Sequence, residues 1–275
     1  MAKRNNGART AAPQAAPPAP QFSGALSFTN PTEFVELPTQ GKFYPEGHPL
    51  HLKAEVEIRY MSAKEEDILT SQALISRGIV IDRLIQSVLV DSSIDVNTLY
   101  PGDKSAIMIA ARATGYGSEY VSNVKCPSCG TNHDHVVDLV NIPIKEVPDD
   151  LTISPAGTFS IVLPRSGFTA EIRILSAKQQ SYLENMRDTN RKNNLPERNR
   201  TDFLKMVIVS VNSISARQEV ENFIDNMPAM DSREVKKAYD RAAPSLQMEQ
   251  RIECPSCQHV VVRAVPLGID FFWPS

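Results

Sequence analysis

The sequence predicts an α+β fold built from two homologous halves. The first observation is a repeat, because residues 57–69 read EIRYMSAKEEDIL and residues 171–183 read EIRILSAKQQSYL. The second is that both copies change from strand-like alternation to helical spacing of apolar residues at the same place. The third is that each half ends in two strand-like segments around the tetrapeptide CPSC. Strands at both ends of each half favour α+β, and a repeat favours pseudo-twofold packing.

Each copy of the repeat is predicted to begin as a strand and turn into a helix. Apolar residues alternate with polar ones through AEVEIRY and through FTAEIRI, as in strands with one buried face. Ser62 is followed three residues later by Glu65, and Ser176 by Gln179. This is the spacing of a capping box, in which the two side chains satisfy free N–H groups at a helix start. A strand-to-helix corner is therefore expected twice.

A helix with an apolar stripe is expected after each corner. The stripes have the spacing of one helix face. They consist of Ile81, Leu84, Ile85 and Val88 in the first half and of Leu204, Val207, Ile208 and Val211 in the second. A further helix is predicted in each half, from Asp103 to about Thr114 and from Ser232 to about Ala242, with Asp103 and Asp231 as N-caps. The second half inserts a helix across residues 220–227, and residues 187–200 are expected to form a solvated helix end and loop.

The cysteines lie at the tips of two predicted hairpins. The hairpin strands are expected at residues 120–125 and 135–140 in the first half and at 248–253 and 259–265 in the second. All four cysteines of the chain fall in the two CPSC tetrapeptides, as Cys126, Cys129, Cys254 and Cys257. Two Cys-x-x-Cys turns supply the four soft ligands of a tetrahedral zinc site. We therefore expect one structural zinc ion in a zinc-ribbon-like site shared by the halves, with no open position for a substrate.

Other readings of the cysteines remain open at this point. Two disulfides are one alternative, although the sequence has no apolar secretion segment near its start and reducing compartments disfavour disulfides. Two free dithiols are another. His133, His135 and His259 lie just beyond the turns and could complete two separate metal sites, but four thiolates already fill one tetrahedron.

Composition excludes several functional classes. The chain has 29 basic and 32 acidic residues and a net charge of −3, so it lacks the basic field that drives nonspecific nucleic-acid binding. No uninterrupted apolar run is long enough for a membrane helix. The sequence has no Gly-rich phosphate loop, no His-Glu-x-x-His and no Gly-x-Ser-x-Gly motif. We therefore expect a binding or structural protein rather than an enzyme.

Three regions are expected along the chain. Residues 1–33 form an extended arm rich in Ala and Pro, with no acidic residue before Glu33. Residues 34–148 form the first α+β repeat with its CPSC turn. Residues 149–275 form the second repeat, with its own CPSC turn and an aromatic C-terminus.

Long stretches of the first half resemble a known family. ELPTQGKFYPEGHPL at residues 36–50, the segment at 57–91, and YPGDKSAIMIAARATGYGSEY at 100–120 resemble the baseplate proteins of T-even-type contractile-tailed phages. The resemblance implies a role as a baseplate hub component or hub-assembly factor. It also implies that the protein resides in the virion tail baseplate and, during assembly, in the host cytoplasm. It supplies no catalytic residues.

We therefore expect a nonenzymatic structural component of the baseplate hub or its periphery that links neighbouring virion proteins. An assembly chaperone absent from the virion and a zinc-ribbon nucleic-acid-binding protein are the alternatives. The expected partners are other phage baseplate and tail proteins, with no small-molecule substrate, no membrane and no nucleic acid. Residues expected to contact partners lie at the two ends of the chain: Pro13, Pro17, Pro18, Phe271, Phe272 and Trp273. The alternative for the three aromatic residues is that they fold back onto the sheet.

Overall fold

A computed structural model of the chain describes residues 30–265 and 267–273, and the structural statements below concern these residues. The proposed contacts of Pro13, Pro17 and Pro18 lie outside them. The first half contains, in chain order, β1 (Thr32–Glu36), β2 (Glu55–Arg59), α1 (Ala63–Thr70), α2 (Gln72–Ser76), α3 (Val80–Val88), a short 3-10 helix (Val96–Thr98), α4 (Pro101–Tyr116), β3 (Glu119–Lys125), β4 (Asn132–Asp138) and β5 (Ile144–Lys145).

The second half has a comparable order with additional elements. It contains β6 (Thr158–Val162), β7 (Thr169–Arg173), α5 (Ala177–Lys192), α6 (Asn199–Val207), β8 (Ile208–Val211), α7 (Arg217–Asp225), α8 (Ala229–Ala242), β9 (Ser245–Leu246), β10 (Glu249–Glu253), β11 (Val260–Ala264) and a second 3-10 helix (Ile269–Phe272).

The strands form small antiparallel sheets. Strand β1 pairs with β2, and β6, β7 and β8 form a three-stranded sheet in that order. The two hairpins, β3–β4 and β10–β11, are separate two-stranded sheets, while β5 pairs with β9 from the other half. The chain is therefore a mixed α/β protein with small sheets. No helix within the described residues is both long and apolar enough to cross a membrane.

Both predicted strand-to-helix corners are confirmed. Strand β2 buries alternate residues, and α1 begins after Ser62, whose backbone N–H donates to the Glu65 carboxylate at 2.9 Å. Helix α5 begins after Ser176, whose N–H donates to the Gln179 side-chain oxygen at 3.0 Å. Each bond satisfies a backbone donor at the point where the chain leaves the sheet, which fixes where the helix starts.

The predicted N-cap roles of Asp103 and Asp231 are wrong. Helix α4 begins at Pro101, where the missing N–H and fixed φ of proline suit the first helical turn, and α8 begins at Ala229. Both aspartates are therefore the third residue of their helix, and both are fully buried. Their carboxylates bind loops that precede the helices by more than sixty residues, and this contact displaces the local capping role.

The predicted helical stripe of the second half is also wrong in part. Helix α6 ends at Val207, and Ile208–Val211 is strand β8, which pairs with β7. The segment VIVSV contains four β-branched valine and isoleucine residues, which lose side-chain freedom in a helix and pack well on a sheet. Pairing with β7 therefore makes this segment a strand rather than part of a helix. The stripe predicted for the first half is confirmed, because α3 buries Leu84, Ile85 and Val88.

The core runs through both halves. Helix α1 packs on α3, α3 packs on α4, and α4 contacts β1 and β2. The ring of Phe43 lies edge-on to Tyr100 at 6.2 Å and to Phe159 of the second half at 6.4 Å between centroids. Offset and edge-to-face aromatic pairs of this kind add to the burial free energy of the rings. Apolar packing therefore continues across the boundary between the halves.

The C-terminal aromatic residues require a correction. Phe271 and Phe272 are 1% and 0% exposed, so these two side chains are core residues rather than anchors for a partner. The Phe271 ring lies 5.0 Å from that of Tyr120, and its carbonyl accepts a hydrogen bond from Arg112 Nε at 3.1 Å. The large free energy gained by burying two aromatic rings favours this placement. Trp273 differs, because 38% of it is exposed.

Candidate metal centre

Each CPSC tetrapeptide forms the same tight turn at the tip of a hairpin. In the first hairpin the N–H of Cys126 donates to the carbonyl of Thr131 at 2.9 Å, and the N–H of Gly130 donates to the carbonyl of Cys126 at 3.0 Å. The second hairpin repeats both bonds, from Cys254 to His259 at 2.9 Å and from Gln258 to Cys254 at 2.8 Å. Two cysteine side chains are thereby held on one side of each turn.

The residue after each second cysteine has left-handed backbone geometry. The φ angle is 75° at Gly130 and 58° at Gln258. Glycine adopts this conformation without a steric penalty, whereas glutamine does so at a cost. The second turn is therefore held in its shape by its hydrogen bonds and by the contacts of its two cysteines.

The two turns bring all four sulfur atoms together. Cys126 Sγ lies 3.7 Å from Cys257 Sγ, and Cys129 Sγ lies 3.7 Å from Cys254 Sγ. All four ligand atoms lie within 4.8 Å of one another. A tetrahedron with Zn–S bonds of about 2.3 Å has sulfur–sulfur edges of about 3.8 Å. The four thiols therefore have the spacing of a zinc site, and each short cross-pair joins one half of the chain to the other.

The geometry contradicts the disulfide alternative. All four cysteines are free, and the close sulfur pairs are far longer than a disulfide bond of about 2.0 Å. Cys126 and Cys254 are buried, whereas Cys129 and Cys257 are exposed. A donor set of four thiolates suits zinc, and four sulfurs occupy every position of a tetrahedral ion.

The thiols of the cluster shift one another's pKa values. A hydrogen bond from the backbone of Cys129 lowers the pKa of the Cys126 thiol, and hydrogen bonds with Thr131 lower the pKa of Cys129 to about 6. The backbone of His259 also favours the Cys257 thiolate, but hydrogen bonds with Cys129 and the other two cysteines outweigh it and raise the pKa of Cys257 to about 11. Four thiolates this close together would repel one another, and a bound cation would offset that repulsion.

The three histidines near the turns do not join the cluster. Within the described residues, the group that could hold a metal consists of the four cysteines alone. His133 has both ring nitrogens buried without a hydrogen-bond partner, and His135 has Nε2 in the same state. His259 contributes its backbone carbonyl to the second turn. Two separate sites completed by histidine are therefore not formed.

Two contacts in which a buried aspartate holds a loop of its own half were not predicted from the sequence. Asp103 accepts a hydrogen bond from the N–H of Thr39 at 3.0 Å. Asp231 accepts hydrogen bonds from the N–H groups of Arg165 at 2.7 Å and Ser166 at 3.1 Å. In each half, a buried carboxylate in the first turn of a helix therefore fixes the loop that follows the first strand.

A short signal for these loops is present in the sequence. The first loop begins LPTQG at Leu37, and the second begins LPRSG at Leu163. Both leucines are fully buried, and Gly41 and Gly167 share a φ of 70°. The common pattern LP-x-x-G, with its left-handed glycine, predicts the same turn twice.

Comparison with known families matches this chain to one of them. The family described as T4 bacteriophage base plate protein matches residues 30–273, which is well over half of the 275-residue chain. Searches of curated proteins and of solved structures found no match. The match covers the β1–β2 and β6–β8 sheets, both hairpins and all four cysteines. The chain belongs to the T4 bacteriophage base plate protein family.

Proposed function

We propose that this protein is a structural component of the contractile tail baseplate, in the hub or at its periphery, and that it links neighbouring virion proteins. The observation that carries the proposal is the family match over residues 30–273. The four-thiol cluster supports a structural rather than a catalytic role, because a tetrahedral ion with four protein ligands leaves no position for a substrate or an activated water.

We further propose that the two halves arose by internal duplication. In both, an antiparallel strand pair leads through a capping box into a helix, and a hairpin with a CPSC turn closes the half. The buried Asp103 and Asp231 hold equivalent LP-x-x-G loops. Helix α7, at residues 217–225, has no counterpart in the first half and is the main insertion. A crystal structure in which the two CPSC-bearing halves superpose poorly would contradict this history.

The proposed zinc site is a clamp between the halves. Cys126 and Cys129 would hold the ion from the first hairpin, and Cys254 and Cys257 from the second. When bound, Zn²⁺ contributes binding free energy that is also folding free energy. The hairpins are otherwise separate two-stranded sheets, which are only marginally stable in isolation. The ion would therefore add stability at the tips of the two hairpins.

The charges of the hairpins do not favour nucleic-acid binding. Lys125 and Arg251 are exposed, but Asp134, Asp138 and Glu253 are exposed on the same two hairpins. A surface that follows a phosphate backbone carries clustered positive charge. Trp273, which is partly exposed, remains a proposed contact with a neighbouring baseplate protein.

Quantitative mass spectrometry of purified phage particles tests the proposed function. We expect peptides of this chain in fixed stoichiometry with other baseplate proteins. Peptides found in infected-cell lysate but absent from purified particles would contradict a structural role and indicate an assembly chaperone that leaves before the virion is complete.

A further inference from the structure

A pocket between α5, α6 and α8 contains an arginine atom without a partner. The cavity has a volume of about 320 Å³, and its lining includes Leu183, Arg187, Phe203, Lys236 and Tyr239. The Nε atom of Arg187 is buried and makes no hydrogen bond. A buried donor without an acceptor is costly, so a ligand that supplies one gains affinity.

Two aromatic rings form the apolar wall beside this arginine. The rings of Phe203 and Tyr239 lie edge to face at 5.0 Å, and both side chains are half-buried. The hydroxyl of Tyr239 accepts a hydrogen bond from the N–H of Leu175 at 3.3 Å, and Lys236 Nζ lies 5.6 Å from the Phe203 ring centroid. These contacts fix the rings, so the wall exists before any partner arrives.

The chain segment that begins at Arg187 is basic, in contrast to the chain as a whole. Residues 187–200 read RDTNRKNNLPERNR, with five basic and two acidic side chains, whereas the whole chain has a net charge of −3. Most of this segment is exposed. Clustered positive charge of this kind attracts and orients an acidic partner.

We propose that this pocket binds an acidic peptide segment of a neighbouring baseplate protein. A carboxylate of the segment contacts Arg187, and an adjacent aromatic or aliphatic side chain packs on Phe203 and Tyr239. The planar guanidinium group matches a carboxylate with two parallel hydrogen bonds. This inference rests on the proposed baseplate function and identifies one of its docking surfaces.

The lining favours a peptide over a nucleic acid. Glu184 and Asp240 border the same cavity as Arg187 and Lys236. A phosphate backbone offers acceptors only and has no donor for these two carboxylates, whereas a peptide also offers backbone N–H groups that can donate to them. A mixed lining of cations, carboxylates and rings therefore matches the mixed groups of a peptide.

Binding of labelled peptides to the full-length zinc-loaded protein tests the proposal. The probes are fluorescein-labelled GDFDLG, its basic counterpart GKFKLG and a labelled oligothymidylate, each measured by fluorescence anisotropy. We expect GDFDLG to bind more tightly than both others. Equal or tighter binding of the basic peptide or of the oligothymidylate would overturn the proposal, and the latter result would assign the basic segment at residues 187–200 to nucleic acid.

Variants on one helix supply the matched control. Arg187→Gln should weaken binding of GDFDLG about tenfold, because a charge-assisted bidentate pair is lost. Arg187→Lys keeps the charge but loses the planar fork, so we expect a loss of several-fold. Arg191→Gln makes the same charge change one turn further along α5, where Arg191 contacts Glu197 at 3.6 Å, and should change binding less than about twofold.

Incorporation of the variants into phage particles distinguishes failure of the docking site from failure of the proposed function. Each variant is first compared with the wild type by thermal unfolding and zinc content, which report folding. Equal incorporation of the wild type and the Arg187→Gln and Arg187→Lys variants into particles, together with equal peptide binding, would overturn the docking site and leave the baseplate role intact. Absence of the wild-type chain from particles would instead contradict the proposed function.

Discussion

The carboxylate of Asp103 is a buried titratable group within the fold. It accepts hydrogen bonds from the N–H of Thr39 at 3.0 Å, the hydroxyl of Thr39 at 2.7 Å and the hydroxyl of Tyr44 at 2.7 Å. Burial outweighs these bonds and raises its pKa from 3.8 to about 6. Because the folded pKa is raised, the contribution of Asp103 to stability is fully present below about pH 3.8 and is lost as pH rises through about 6.

We predict that Asp103→Asn removes this pH dependence. Between about pH 4 and pH 7, the free energy of unfolding of the wild type should fall relative to that of the variant by about 1–3 kcal/mol. Chemical denaturation at several pH values measures the difference between the two proteins. Loss of zinc at low pH affects both equally, so it cancels in the difference. Parallel pH profiles would contradict this account.

Gly157 lies where the first half packs on the second. Its φ is 76°, and a Cβ atom added there would lie 2.0 Å from the carbonyl oxygen of Phe43. We predict that Gly157→Ala lowers the free energy of unfolding by more than about 3 kcal/mol, because backbone strain and a backbone clash add together. Gly78→Ala is the control, since its φ is 67° but no atom lies within 4 Å, and should cost about 1 kcal/mol. Similar losses in urea titrations of the two variants would show that the contact with Phe43 is unimportant.

The start of a helix or strand could be predicted from the sequence where the contacts that fix it are local. The capping boxes at Ser62 and Ser176 involve residues three apart, so both corners could be predicted. The position of Asp103 in α4 depends on Thr39, 64 residues away, and nothing local reports that contact. Strand β8 fits a helical stripe equally well and becomes a strand because β7 supplies its partner.

The two hairpins with CPSC turns should depend on each other if they share one zinc ion. We predict that Cys126→Ser abolishes stoichiometric zinc binding and lowers the protection of backbone amides from hydrogen exchange in β3–β4 and in β10–β11 alike, because the ion's binding free energy is shared. Ser128→Ala lies in the same exposed turn, removes no ligand, and should leave both hairpins protected. Loss of protection confined to β3–β4 would contradict a shared site.

For the whole molecule, the paired CPSC motifs were enough to predict the four-thiol cluster, because two identical turns in a repeated sequence imply one shared site. The burial of Phe271 and Phe272 could not be read from sequence, since it depends on Tyr120 and Arg112 in the other half. The pocket at Arg187 is likewise invisible in sequence, because it forms only where α8 packs beside α5 and α6.

The N-terminal arm is expected to act in baseplate assembly rather than in folding. The first 20 residues contain seven Ala, four Pro and no acidic residue, which is a poor composition for a core. We predict that deleting residues 1–20 leaves the thermal unfolding of the isolated protein unchanged but reduces its incorporation into baseplates, as measured by quantitative mass spectrometry of particles. Normal incorporation of the truncated chain would remove Pro13, Pro17 and Pro18 from the set of proposed partner contacts.

We propose that one structural zinc ion joins the two halves of this baseplate protein. The most direct test is the zinc-to-protein ratio of the purified reduced chain, measured by inductively coupled plasma mass spectrometry with and without prior chelation. We predict one zinc per chain, with two ligands from each half, and a large fall in thermal stability when a chelator removes it. A protein without zinc that unfolds at the same temperature in chelator, or a protein with two zinc ions per chain, would contradict it.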